Sequence, residues 1–139
     1  MPLEEIDPRQ RAWVEVFPEA IKANAKTIKK LLPEKCLLMA VVKADGYGHG
    51  ASTVADAALA GGASNLGVAT LQEAIDLRKA GLKCPILVLG NLVKAKDFKA
   101  CLGWRLIPTL SSNKEAYLCQ KIAESQGKVL KVHVKVDTG

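Results

Sequence analysis

The sequence predicts an α/β fold: about five parallel strands with intervening helices, arranged as an open doubly wound sheet or as an incomplete TIM-type (β/α) barrel. Three observations carry this. Short apolar runs alternate with longer amphipathic stretches along the chain. Two of the runs, Leu37–Val42 and Pro85–Gly90, are apolar at nearly every position, as strands covered on both faces are. Prolines and glycines punctuate the changeovers, at Pro33, Gly61-Gly62, Gly81 and Gly127. A closed eight-stranded barrel needs about 250 residues, so on the barrel reading these 139 residues make an incomplete barrel.

Taken in order, Trp13–Val16 reads as a brief strand. Pro18 suits the first turn of a helix, whose apolar positions Ala20, Ile21, Ala25, Ile28 and Leu32 recur until Pro33 ends it. After Leu37–Val42 comes a glycine-rich turn, then a helix over Ser52–Ala60. Leu66–Ala69 is a short strand. Thr70 caps the next helix, with Glu73 at capping-box spacing and Gly81 as terminator. In the strand Pro85–Gly90 the proline is confined to the first position. Lys94–Leu102 reads as helix, Arg105–Pro108 as a short strand, and Ser112–Gln126 as a helix capped by Ser112 or Asn113. Leu130–Val136 alternates apolar and polar residues, a strand signal. Single helices between the strands from Leu37 onward imply parallel pairing through right-handed crossovers. No repeat or low-complexity linker divides the chain.

Composition narrows the function classes. With 49% hydrophobic and 24% charged residues, the chain falls among soluble globular proteins. No apolar run has bilayer-spanning length, and the start MPLEEIDPRQR does not read as a secretory signal. A cytoplasmic protein is the simplest expectation. The net charge of +6 comes from dispersed lysines, as on a solvated surface. Two Phe, two Tyr and two Trp leave little aromatic surface for stacking on bases. Neither nucleic acid nor membrane is expected as a partner. Cys36, Cys84, Cys101 and Cys119 lack disulfide or zinc spacing and read as reduced core thiols, with no metal site expected.

The chemistry concentrates in AVVKADGYGHG, Ala40 to Gly50. An apolar strand ends in one lysine, Lys43, and carboxyl ends of parallel strands face the ligand crevice in such folds. Burial disfavours a lysine's charged form and leaves more of the nucleophilic amine that forms a Schiff base with an aldehyde. The glycines admit close backbone approach and turn amides toward an anion. Tyr47 offers a phenol donor. The bland alternative is a lysine snorkelling to water before an ordinary glycine turn. The stretch is not a Walker loop, because the lysine precedes the glycines.

AVVKADGYGHG resembles the pyridoxal-phosphate attachment motif of the alanine racemase family. The similarity continues in GASNLGVATLQEAIDLRKAG (Gly62–Gly81), PILVLG (Pro85–Gly90) and VHVKVDTG (Val132–Gly139), in family order. The resemblance implies a fold type III barrel, with the rest of the barrel and a C-terminal β domain outside these residues. It implies that Lys43 carries pyridoxal 5'-phosphate covalently and serves as one of two acid/base groups. It also implies that Tyr47 contacts the cofactor phosphate and that Leu89 lines the pocket. His49 is given no proton-transfer role and reads as a loop-stabilising side chain.

In some members of the family the lysine matching Lys135 is carbamylated and orients an arginine near the substrate, which makes Lys135 a candidate for that modification. By strand alternation Lys131, His133, Lys135 and Asp137 share a face opposite Leu130, Val132, Val134 and Val136. That pattern fits a strand facing the barrel interior or a half-exposed edge strand. The activity implied is interconversion of L- and D-alanine by a homodimer, with the second catalytic group, a tyrosine, from a partner subunit. A racemase for serine or a basic amino acid, a fold type III decarboxylase, and a non-catalytic barrel fragment are the alternatives.

Overall fold

The structure, a computed structural model, describes residues 12–139. Its elements run α1 (Pro18–Leu31), β1 (Met39–Val41), α2 (Lys43–Gly48), α3 (Ala51–Ala60), β2 (Asn65–Val68), α4 (Leu71–Lys79), β3 (Ile86–Asn91), α5 (Ala95–Trp104), β4 (Ile107–Leu110), α6 (Asn113–Ser125) and β5 (His133–Val134). The five strands form one sheet in the order β1-β2-β3-β4-β5, every neighbouring pair parallel. A doubly wound sheet reverses its order at a switch point, and this one does not. Successive right-handed crossovers in one direction bring the connecting helices to the same face. That is the arrangement of a (β/α) barrel opened along its side.

Strand alternation divides the residues between the two faces. Leu66 and Val68 of β2, paired with Ile86 and Val88 of β3, are fully covered. They belong to one core cluster with Leu77 of α4, Phe98 and Cys101 of α5, and Cys119 and Ile122 of α6. A fully buried side chain such as Phe98 contributes on the order of 1.5–3 kcal/mol. On the opposite face Met39, Leu89 and Ile107 stay partly accessible, and Val41 is exposed. At the amino ends of the strands, the Arg78 guanidinium donates to the carbonyls of Leu82, Cys84, Trp104 and Arg105. It thereby ties α4 to the end of α5 without leaving an unpaired buried charge. Among the described residues no helix is long and apolar enough to cross a membrane.

Several expectations are corrected. Trp13–Val16 forms no strand, and Trp13 and Val14 are exposed; no strand of the described sheet lies outside β1 for this segment to pair with. The last strand shrinks from Leu130–Val136 to His133–Val134. It pairs only with β4, through Thr109↔His133 and Leu110↔Val134. The fourth strand begins at Ile107, two residues later than expected, because Arg105 takes a left-handed conformation (φ 53°) that closes α5. Cys101 and Cys119 are buried thiols, whereas Cys36 is exposed. Burial pushes the Cys101 thiol up to about 12, so it stays protonated and unreactive.

Candidate functional site

Immediately after β1 the backbone does something unusual for L-residues. Ala44, Asp45, Gly46 and Tyr47 all have φ between 51° and 62° and ψ between 35° and 53°, one turn of left-handed helix. Each non-glycine residue there costs roughly 1–2 kcal/mol, and three of the four carry a side chain. Such a turn persists only where its surroundings over-determine it. They do so here. The Gly46 amide donates to Val42 O at 3.0 Å and the Gly50 amide to Asp45 O at 2.9 Å. Asp45 Oδ1 accepts from the Ala51 amide at 2.8 Å, which caps α3. A Cβ on Gly46 would stand 2.8 Å from Val54 Cγ2, so this position needs glycine for space as well as conformation.

Lys43 opens this turn and is half-buried, while Tyr47 is 59% exposed. His49 Nδ1 lies 3.0 Å from Tyr47 O and 3.2 Å from Gly46 O, and a ring N–H there donates to the turn's carbonyls. That contact agrees with the loop-stabilising reading. Leu89 sits two strands away, yet it is brought close. Gly67 of β2 pairs with Val41 of β1 and Leu87 of β3, and a Cβ on Gly67 would lie 3.3 Å from Met39 Sδ, 3.5 Å from Val41 Cγ2 and 3.7 Å from Leu89 Cδ1. The absent side chain lets these three residues converge on an apolar wall beside the strand that ends in Lys43.

Lys135 follows β5 at the same, carboxyl, end of the sheet, its amide donating to Leu110 O at 2.8 Å. It shares strand parity with His133, the register partner of Thr109, and its side chain is exposed. Between Lys43 and Lys135 lies a polar seam that the sequence only half disclosed. Glu73, at the third position of α4, accepts from the amides of Ala44 (2.7 Å), Ala69 (2.8 Å) and Thr70 (2.9 Å), while Thr70 Oγ1 accepts from the Glu73 amide at 3.2 Å. Glu115 repeats the device on α6. It is buried and accepts from the Ser111 amide at 2.7 Å and from Asn91 Nδ2 at 3.3 Å. The capping spacing of both glutamates is visible in the sequence; their reach to a neighbouring strand is not.

Burial alone raises the Glu73 carboxyl, but hydrogen bonds from Thr70, Ala44 and Ala69 outweigh it and hold the group below the usual carboxylate range. Behind the turn, a cavity of about 350 Å³ is lined by Asp45, Ser52, Thr53, Glu73 and Asp76. Its carboxylates make it a poor receptacle for a phosphate.

Residues 16–139 match the family model described as alanine racemase, N-terminal domain. The chain is 71% identical over its whole length to an alanine racemase of Prochlorococcus marinus, of which it spans 36%. Among solved structures, an alanine racemase from E. faecalis superposes with a TM-score of 0.82 at 39% identity, over 89% of this chain and 33% of that one. A histidine racemase from Leuconostoc mesenteroides superposes with a TM-score of 0.83 at 31% identity, over 96% of this chain and 35% of that one. The chain thus spans about a third of the length of the relatives it matches. Its sequential parallel sheet, the lysine-headed turn after β1 and the match across nearly all of its length place the chain in the alanine racemase N-terminal domain family.

Proposed function

We propose that this chain is the N-terminal, cofactor-carrying part of the barrel domain of a pyridoxal-phosphate-dependent racemase that interconverts L- and D-alanine. The observation that carries the reading is the placement of Lys43. Lys43, a half-buried residue, stands at the carboxyl end of a barrel strand, where an apolar wall meets a turn bearing a phenol. These residues suit the group. Lys43 would hold the aldehyde carbon covalently, Met39, Val41 and Leu89 offer apolar contact for a flat ring, and Tyr47 would donate to a phosphate oxygen.

When bound, pyridoxal phosphate supplies an electron sink for the charge left on the substrate's α-carbon. The work of this chain's own residues is simpler. The Lys43 amine would hold the cofactor and, as a free amine, would remove or return the α-proton on one face of the substrate. Inversion needs a second group on the opposite face, which we assign to a tyrosine of a partner subunit in a homodimer. The apolar wall limits water around the reacting carbon, and the held turn keeps the Lys43 amine within reach of it. Lys135, at the same end of the sheet, is the candidate for a carbamylated lysine. We place the protein in the cytoplasm, supplying D-alanine for cell-wall synthesis.

A second reading changes the substrate only. The histidine racemase superposes on nearly all of this chain, so the fold is shared with a protein named for another substrate, and a basic or serine substrate fits the same mechanism. The test is proton exchange and inversion of L-alanine by the intact protein. Replacement of Lys43 by alanine is expected to lower turnover by about 10³-fold or more. Release of carbon dioxide from the amino acid without inversion would contradict the racemase reading.

A further inference from the structure

The left-handed turn contains three non-glycine residues, and its internal hydrogen bonds do not connect it to the rest of the sheet. One side chain on a different helix does. Glu73 Oε1 accepts from Ala44, the residue next to Lys43, at 2.7 Å, and Glu73 Oε2 accepts from Ala69 and Thr70 beyond β2 at 2.8 and 2.9 Å. The two oxygens thus face different strands. An ordinary capping box needs only the Thr70 amide, so the bonds to Ala44 and Ala69 exceed what capping α4 requires.

We propose that Glu73 is a positioning residue for Lys43: its carboxylate, spanning the amides of Ala44 and Ala69, fixes the left-handed turn and so the place at which the Lys43 amine is presented. The tether on the turn needs no ligand; its consequence for the cofactor rests on the reading of Lys43 given above. A carboxylate suits the role because it accepts at both oxygens. In glutamine one oxygen becomes an amide N–H₂, a second donor set against an amide donor, whichever way it is turned. Aspartate keeps the charge but is one methylene shorter and cannot span both strands. Glu115 is the natural control, since it has the same capping position on α6 and joins β3 to β4 without touching the Lys43 turn.

The experiment compares Glu73→Gln, Glu73→Asp, Thr70→Ala and Glu115→Gln in the intact protein. Two quantities are read: hydrogen exchange at the Ala44 amide without cofactor, and the affinity for added pyridoxal phosphate with the induced circular dichroism of the bound chromophore. Loss of a hydrogen bond to a charged acceptor corresponds to about tenfold or more. Both Glu73 variants are expected to show Ala44 exchange faster by that factor, weaker cofactor retention and an altered dichroic band. Thr70→Ala and Glu115→Gln are expected to lower Tm while leaving both readouts within about twofold of the unsubstituted protein. Unchanged Ala44 exchange in Glu73→Asp overturns the proposal, as does an equal effect on cofactor retention from Glu115→Gln. Should the unsubstituted protein take up no cofactor at Lys43, the cofactor reading fails by itself, and Ala44 exchange decides the tether.

Discussion

Gly46 and Gly48 stand two residues apart in one turn, both at positive φ, yet they answer to different constraints. Gly46 has φ +62° and a would-be Cβ 2.8 Å from Val54 Cγ2 and 3.3 Å from Ala51 Cα. Gly48 has φ +82° and nothing within 4 Å. Gly46→Ala therefore meets both backbone strain and overpacking and is expected to cost about 2–4 kcal/mol. Gly48→Ala meets strain alone, about 1–2 kcal/mol. Equal midpoint shifts for the two in urea would contradict this account. The glycines of this turn are plain in the sequence; the left-handed conformation of Ala44 and Tyr47 is not. Its local bonds form only once the turn is made, and the anchor on Ala44 lies 29 residues further on, at Glu73. Lys43 itself stands out as a single amine at the end of an apolar strand.

At the scale of elements, α4 was legible down to its cap, since Thr70 and Glu73 have capping-box spacing and the reciprocal bonds form. The carboxylate's state adds a pH dependence. Glu73 is lowered in the folded chain, hydrogen bonds from Thr70, Ala44 and Ala69 prevailing over burial. The unfolded carboxyl therefore binds its proton first as pH falls. Its stabilisation is complete above the ordinary carboxylate range and is lost as pH falls through the lowered folded value. The stability gap between the unsubstituted protein and Glu73→Gln is expected to be largest near pH 7 and to shrink by about pH 3. Urea midpoints at the two pH values measure this, and a gap independent of pH would contradict it. The strands were less legible where pairing decides their length. Trp13–Val16 has strand composition, and Leu130–Val136 alternates well, but a strand extends only where a neighbour accepts its ladder. One found no partner among the described residues and the other only β4.

For the whole molecule, sequential parallel order left β1 and β5 as the two edges of the described sheet, with Val134 in β5 and Val136 just beyond it at 72% and 73% exposure. Unpaired amides and apolar side chains at an edge invite pairing with another chain. Residues 1–139 expressed alone are expected to associate as concentration rises, which sedimentation would show; a monomer at high concentration would contradict it. The choice between a doubly wound sheet and a barrel was not available from the runs of apolar residues, because both need the same strands and helices. Strand order made it, and strand order brings Lys43, Glu73, Leu89 and Lys135 to one side or one end of the sheet. The central claim is that the Lys43 amine at that end takes the aldehyde. Its most direct measurement is to add pyridoxal phosphate to the intact protein, reduce with borohydride and map the modified peptide. The account predicts the label on Lys43. A label confined to another lysine, with Lys43 unmodified, would contradict it.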